Sequence, residues 1–102
     1  MFFKPVPEIS TEDLKSIMQK KKNIELIDVR EPFEFINGHI IGAKNRPLGQ
    51  ITGFNSQKTV YVICQSGNRS KKATKLLIKK GINAINVSGG MFAWDGPIKR
   101  GK

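Results

Sequence analysis

Three short runs of β-branched and other apolar residues, separated by segments with helical spacing, constrain the fold of this chain most strongly. They lie at residues 24–29, 59–63 and 82–87. Such runs are typical of strands that are buried on at least one face. Strands that alternate with helices form a mainly parallel sheet with helices on both faces. The sequence therefore predicts an α/β fold.

Helices are predicted before and between these strands. Residues 10–13, Ser-Thr-Glu-Asp, resemble a capping box, and apolar side chains then recur at helical spacing up to the lysine run 20–22, which suits the helix dipole. A second short helix is predicted from Pro32 to about Asn37, with Gly38 as its cap. A third is predicted from about 70 to 80, ending before Gly81.

The remaining segments complete one predicted domain. We expect a short extended segment at 40–45, a loop with one helical turn at 47–58, and the last strand at 82–87. A chain of 102 residues suits a single domain, here 1–102 with a core from about 8 to 96. Residues 97–102 are expected to form a frayed basic tail.

The composition excludes several classes of protein. The net charge is +10, but 38% of the residues are hydrophobic, too many for a disordered charged chain. The longest apolar run, 60–64, is far shorter than the ~20 residues of a membrane span, and residues 1–5 show no secretory signal. We therefore expect a cytoplasmic protein without a membrane partner. No nucleic-acid motif accompanies the charge, so no nucleic-acid partner is expected, and we assign the charge to steering anions or docking acidic proteins.

Cys64 is the only cysteine, and it follows the predicted strand at 59–63. It cannot form an internal disulfide, and no metal site is expected from one cysteine and one histidine. The carboxyl ends of the strands are where open α/β sheets bind ligands. The next five residues are Gln65, Ser66, Gly67, Asn68 and Arg69. They include a glycine for a tight turn and no proline, so their N–H groups can surround an anion at a helix N-terminus.

A reactive Cys64 requires a lowered pKa. Reaching a pKa of about 7 takes roughly 2 kcal/mol of stabilisation of the thiolate, and a helix N-terminus supplies only about 0.3–1 kcal/mol. We expect the loop N–H groups and the charge of Arg69 to supply the rest. We expect the thiol of Cys64 to be exposed, and it would therefore also be open to oxidation. The alternative is an inert buried cysteine, which the polar sequence after Cys64 disfavours.

Four segments, in order along the chain, resemble the rhodanese-like domains, which are sulfurtransferases built on a small α/β fold. The segments are Leu-Ile-Asp-Val-Arg-Glu at 26–31, Gly-His-Ile at 38–40 with Gly-Ala at 42–43, the loop 64–70, and Gly-Gly at 89–90 with Trp94. Each segment is weak alone, but the ordered set is specific and covers about 8–96. The resemblance implies a three-layer fold with a mainly parallel sheet of about five strands.

The resemblance also implies an activity. Cys64 would take sulfane sulfur from a small anionic donor as a persulfide, held by the backbone amides of 65–69, and pass it to an acceptor. No metal or organic cofactor is implied. Gln65 and Arg69 differ from residues that are frequent in thiosulfate-using and two-domain members, so the donor, thiosulfate-like or a persulfide, stays open. Because the chain has no second thiol, the acceptor is external: cyanide, a small thiol or an acidic sulfur-acceptor protein.

Other residues are expected to support the loop. Asp28 can accept hydrogen bonds at a strand end, and Arg30 can pair with an acid. Ser70, the last residue of the segment 64–70 that resembles the family, is also expected to support the loop. Arg69 either contacts an anionic donor or ties the loop to a nearby aspartate. His39 is expected to make a structural hydrogen bond. Trp94 and Phe92 are expected to anchor the last helix in the core.

Two alternative functions remain at this point. A cysteine-dependent phosphatase or arsenate reductase has five residues between its cysteine and arginine, whereas four separate Cys64 from Arg69. A non-catalytic interaction or sulfur-sensing module of the same fold is the other alternative, and the presence of Cys64 counts against it.

Overall fold

A computed structural model describes residues 5–21 and 23–102. Residues 1–4, where no secretory signal is expected, and Lys22, the last residue of the predicted lysine run, lie outside the described residues.

Five parallel strands form the main sheet of the described chain. The strands are Glu8–Ile9 (β1), Glu25–Asp28 (β2), Lys44–Asn45 (β4), Val60–Ile63 (β5) and Ala84–Val87 (β6), in the order β1-β6-β5-β2-β4. His39–Ile40 (β3) and Ile98–Lys99 (β7) pair in a separate antiparallel ladder. The helices are Thr11–Lys20 (α1), Pro32–Ile36 (α2), Asn68–Lys79 (α3) and Gly90–Ala93 (α4), with a 3₁₀ helix at Leu48–Gly53.

The side chains of β5 alternate between the two faces of the sheet. Val60 and Val62 pack in one core with Leu77 of α3, and Ile63 packs in a second core with Leu14 of α1. Helices therefore cover both faces, which confirms the predicted three-layer α/β fold with a mainly parallel sheet.

Local sequence signals explain where the helices begin and end. Ser10 caps α1, because its hydroxyl accepts a hydrogen bond from the N–H of Asp13 at 3.0 Å. Pro32 occupies the first turn of α2, as predicted. The third helix begins at Asn68, two residues before the predicted start, because the preceding Gly67 has a left-handed backbone that forms its cap.

The predicted extended segment at 40–45 is wrong as a single element. A turn at 41–42 divides it, with Gly42 at a φ of +93° and the N–H of Ala43 donating to the carbonyl of Ile40 at 3.0 Å. The part before the turn pairs with β7, whereas the part after it joins the main sheet beside β2. The two-residue edge strand β1 is a further element that the sequence does not predict.

The prediction of a frayed tail at 97–102 is also wrong. Ile98 and Lys99 pair with Ile40 and His39, and the N–H of Gly101 donates to the carbonyl of Ile36 at 2.8 Å. Residues 82–87 are therefore not the last strand. The pairing satisfies backbone groups of a basic segment whose composition alone suggests disorder.

The last helix lies differently from the prediction. Phe92 is 85% exposed, so the expectation that it anchors α4 in the core is wrong. Trp94 is half-buried and packs against the core that contains Leu14 and Ile40. No helix within 5–21 and 23–102 is long and apolar enough to cross a bilayer.

The packing of α3 gives a first testable prediction. Leu77 is completely buried and the adjacent Ile78 is 41% exposed. We expect Leu77→Ala to reduce the free energy of unfolding by about 2–5 kcal/mol because it leaves a cavity, and Ile78→Ala to reduce it by less than about 1 kcal/mol. Urea denaturation of the two variants measures both values. Equal losses would contradict this packing.

Candidate active site

Cys64 lies at the carboxyl end of β5 and is almost fully buried, with 1% of its surface exposed. The expectation of an exposed thiol is therefore wrong. Its Sγ accepts a hydrogen bond from the N–H of Gly67 at 3.1 Å and lies 3.3 Å from the hydroxyl of Ser70. The side chains of Gln65, Ser66 and Asn68 are exposed. The buried sulfur thus lies in a loop whose polar side chains are mostly exposed.

Two opposing effects set the pKa of Cys64. Burial raises the pKa of the thiol and is the largest single effect, but hydrogen bonds from the hydroxyl of Ser70 and from the N–H groups of Ser70, Gly67 and Ser66 together lower it further. The net result is a pKa below the ordinary value. The loop N–H groups act as the sequence predicts, but the Ser70 hydroxyl contributes more than any of them. From the sequence we expect only a supporting role for Ser70.

The turn at Gly67 depends on glycine. Its φ is +104°, a left-handed conformation that side chains oppose, and it caps α3 directly after the loop. This conformation lets the chain turn back within three residues, so that the N–H of Gly67 faces the sulfur of Cys64.

The pair Gly89-Gly90 lets α4 hold the outer side of the loop. The N–H of Met91 donates to the carbonyl of Cys64 at 2.8 Å, and the N–H of Phe92 donates to the carbonyl of Gln65 at 2.9 Å. A Cβ atom at Gly90 would overlap both of these carbonyl groups, 2.6 Å from the carbonyl oxygen of Gln65. The glycine pair is therefore needed for the close approach of α4 to the loop.

A buried ion pair supports the loop from the β2 side. Arg30 binds the carboxylate of Asp28 through Nε and Nη2, at 3.0 and 2.8 Å. The same guanidinium donates to the carbonyl of Gly38 at 2.7 Å and to the side-chain oxygen of Gln65 at 3.4 Å. The structure thus brings both predicted supporting residues together and connects them to the loop.

Arg69 forms a two-pronged ion pair with Glu34 of α2, with nitrogen–oxygen distances of 2.6 and 2.9 Å. The partner is a glutamate rather than the aspartate expected for a bracing arginine. The hydrogen bonds from Arg69 are the main reason that the pKa of Glu34 falls to about 2, against the opposing effect of burial. In this structure the positive charge of Arg69 is therefore engaged by α2.

Asn86 of β6 is a buried neighbour of the loop that is not predicted from the sequence. Its amide nitrogen lies 3.4 Å from the carbonyl of Gly67 and 3.1 Å from a carboxylate oxygen of Glu8. Its Oδ1 is buried and has no hydrogen-bond partner in the described part of the chain. The only sequence signal is that Asn86 is one of two amides, with Asn83, in the otherwise apolar run 82–87.

His39 lies outside this group. Its buried ring hydrogen-bonds to the carbonyl of Phe35 at 2.7 Å and stacks on the ring of Phe35, with the ring centroids 3.6 Å apart. These contacts are the structural arrangement that we expect for this histidine.

The α/β fold and the cysteine loop agree with what comparison with known proteins finds for this chain. The family model for the rhodanese-like domain matches residues 10–96, so the chain belongs to the rhodanese-like domain family. This confirms the resemblance seen in the four sequence segments.

Individual relatives agree with this assignment. The chain is 44% identical over 86 residues to "Uncharacterized protein YqhL" of Bacillus subtilis, covering 79% of this chain and 68% of that protein. It is 38% identical over 98 residues to "Putative sulfurtransferase YtwF" of the same organism, covering 92% of this chain and 95% of that protein. A crystal structure of a rhodanese-like domain protein from Staphylococcus aureus matches with a TM-score of 0.86 and 34% identity, covering 95% of this chain and 100% of that one.

The contribution of the Ser70 hydroxyl to the pKa of Cys64 can be tested by substitution. Ser70→Ala removes a hydroxyl that stabilises the thiolate, so we expect the midpoint of thiolate formation to rise by about one pH unit. The ultraviolet absorbance of the thiolate as a function of pH measures it. Ser66→Ala is the control, because Ser66 contributes through its backbone N–H alone. Identical midpoints in the two variants would contradict the role of the hydroxyl.

The pair between Arg69 and Glu34 predicts a pH-dependent stability. Because folding lowers the pKa of Glu34 from 4.5 to about 2, the stabilisation is fully present above pH 4.5 and is lost as the pH falls towards 2. Glu34→Gln should therefore be less stable than the wild type at neutral pH, and the difference should shrink below pH 4.5.

Urea denaturation across this pH range measures the difference. Asp95→Asn is the control, because the pair of Asp95 with Lys15 at 3.3 Å has a single contact and Asp95 is 79% exposed. We expect this control to change stability little at any pH. A Glu34→Gln effect that is independent of pH would show that the ion pair is not its origin.

Proposed function

We propose that this protein is a sulfurtransferase in which Cys64 carries the transferred sulfur as a persulfide. The observation that carries the proposal is the loop itself, in which the N–H of Gly67 and the hydroxyl of Ser70 both face the sulfur of Cys64. Membership of the rhodanese-like family and the name of the relative YtwF support the same chemistry.

In the first step, the Cys64 thiolate attacks the sulfane sulfur of a small anionic donor. With thiosulfate, a new sulfur–sulfur bond forms to Cys64, the sulfur–sulfur bond of thiosulfate breaks, and sulfite leaves with the bonding electron pair. The lowered pKa of Cys64 supplies the thiolate. The product is a persulfide anion at Cys64, and N–H groups of 65–69 that point into the loop stabilise it without giving up a proton.

In the second step, an external nucleophile attacks the terminal sulfur. A thiolate becomes a persulfide, or cyanide becomes thiocyanate, and the electron pair of the broken bond returns to Cys64 as thiolate. The acceptor is external because Cys64 is the only cysteine of the chain. The net charge of +10 favours an anionic donor and an acidic acceptor protein. We place the reaction in the cytoplasm, where thiols stay reduced.

The intact mass of the reduced protein before and after incubation with thiosulfate tests the proposal. We expect the wild type to gain one sulfur atom, to lose it on addition of cyanide, and Cys64→Ser to gain none. Ser66→Cys in the Cys64→Ser background is the matched control, because its thiol lies in the same loop but at an exposed position.

The outcomes of this experiment separate the alternatives. No gain with thiosulfate but a gain with polysulfide or glutathione persulfide would identify a persulfide as the donor class. No gain with any of these donors would overturn the proposal in favour of a non-catalytic interaction module.

A further inference from the structure

Phe33 and Phe92 are conspicuously exposed, at 68% and 85% of their surface. The other large apolar side chains exposed in the described residues reach only 41–53%. A phenylalanine in such a position contributes little to folding and presents an apolar surface to the solvent. Two of them near one site therefore need an explanation outside the core.

The sheet order places the helices that carry these two residues on opposite sides of the Cys64 loop. In the main sheet β5 lies between β2 and β6, and the segments after these three strands carry α2, the loop and α4. Phe33 is in α2, where its neighbour Glu34 binds Arg69. Phe92 is in α4, and its N–H binds the carbonyl of Gln65. Both helices are thus fastened directly to the ends of the loop.

The charges around the loop are not evenly distributed. Glu34 is neutralised by Arg69, whereas Lys71 and Lys72 are exposed in the first turns of α3. The remaining exposed acid beside α2 is Glu31. Two further acids, Glu12 and Asp13, lie on the α4 side. They are in the first turn of α1, and the hydroxyl of Thr11 in that turn donates a hydrogen bond to the carbonyl of Ala93 in α4. The α3 side of the loop therefore favours acidic groups on a partner.

We propose that Phe33 and Phe92 form a docking surface for a sulfur-acceptor protein that presents a cysteine thiol between apolar residues and carries acidic residues facing Lys71 and Lys72. The inference rests on the proposed function, because an external thiol is required to remove the persulfide. A small acceptor such as cyanide has no surface for two aromatic side chains to contact. A protein must instead bring its thiol down to a sulfur that is almost fully buried, which requires close contact with the rim of the loop.

The transfer step is the second step of the proposed reaction. The partner's thiolate attacks the terminal sulfur of the Cys64 persulfide, a sulfur–sulfur bond forms to the partner, and the electron pair of the broken bond returns to Cys64. The two phenylalanines take no part in the bond changes. Their contribution is to raise the rate at which a protein thiol, but not a small acceptor, reaches the sulfur.

Two synthetic peptides and cyanide are the acceptors that test this surface. Each peptide has one cysteine and the same number of acidic residues. In the first peptide leucine and phenylalanine flank the cysteine, and in the second serine replaces them. The persulfide-loaded protein is mixed with each acceptor, and the apparent second-order rate constant of sulfur transfer is followed by mass spectrometry. We expect the wild type to prefer the apolar peptide by about 10-fold, the amount that burying one phenylalanine supplies.

The variants are the double substitution Phe33→Ser with Phe92→Ser, and Ile78→Ser as the matched control. Ile78 is also exposed, but it lies near the C-terminal end of α3, away from the loop. We expect the double variant to lose the preference for the apolar peptide and the control to retain it. Transfer to cyanide should be equal in all three proteins. Replacing Lys71 and Lys72 by Gln should slow transfer to both acidic peptides more than transfer to cyanide, which carries a single negative charge.

Several results would overturn the proposal. A double variant that keeps the preference shows that the aromatic pair does not bind the acceptor. If the double variant transfers sulfur more slowly to cyanide by the same factor as to the apolar peptide, the aromatic pair acts on the loop rather than on docking. A wild type that takes up no sulfur at the loading step refutes the proposed function itself, and this failure is visible before any acceptor is added.

Discussion

The buried ion pair between Asp28 and Arg30 is the interaction on which the rest of the site depends. Burying two charges costs several kcal/mol for each ion unless their hydrogen bonds are complete, and a lone buried partner would destabilise the fold by about 3–5 kcal/mol. Here Asp28 also accepts the N–H of Arg30 at 3.0 Å, and Arg30 reaches Gly38 and Gln65. One pair therefore fixes the end of β2, the turn after α2 and the start of the cysteine loop relative to one another.

A second constraint is the burial of the Cys64 thiol. Burial alone would raise the pKa of Cys64 and leave it protonated and unreactive. The chain offsets this with the hydroxyl of Ser70 and with N–H groups of the loop, whose placement needs the left-handed Gly67 and the close approach of α4 at Gly90. The backbone conformation of the loop and the acidity of the thiol are thus linked.

The parts of this arrangement that follow from local sequence are predictable. The run 60–63 gives β5, Ser10 gives the start of α1, and the glycine after Cys64 gives the turn of the loop. The strands β1 and β7 are not predictable, because two residues show no periodicity. The exposure of Phe92 is likewise invisible in the sequence, since it depends on hydrogen bonds from α4 to the loop backbone. Glu34 is missed as the partner of Arg69 because 35 positions separate them.

The partner of Arg69 bears on how a donor binds. An anionic donor that used this arginine would have to displace a carboxylate held by two hydrogen bonds, whose strength is reflected in the depressed pKa of Glu34. The N–H of Gly67 needs no such exchange, because it already faces the sulfur. The geometry therefore favours the bracing interpretation of Arg69, which joins α2 to the start of α3. In this interpretation the backbone binds the sulfur, and the arginine keeps that backbone in place.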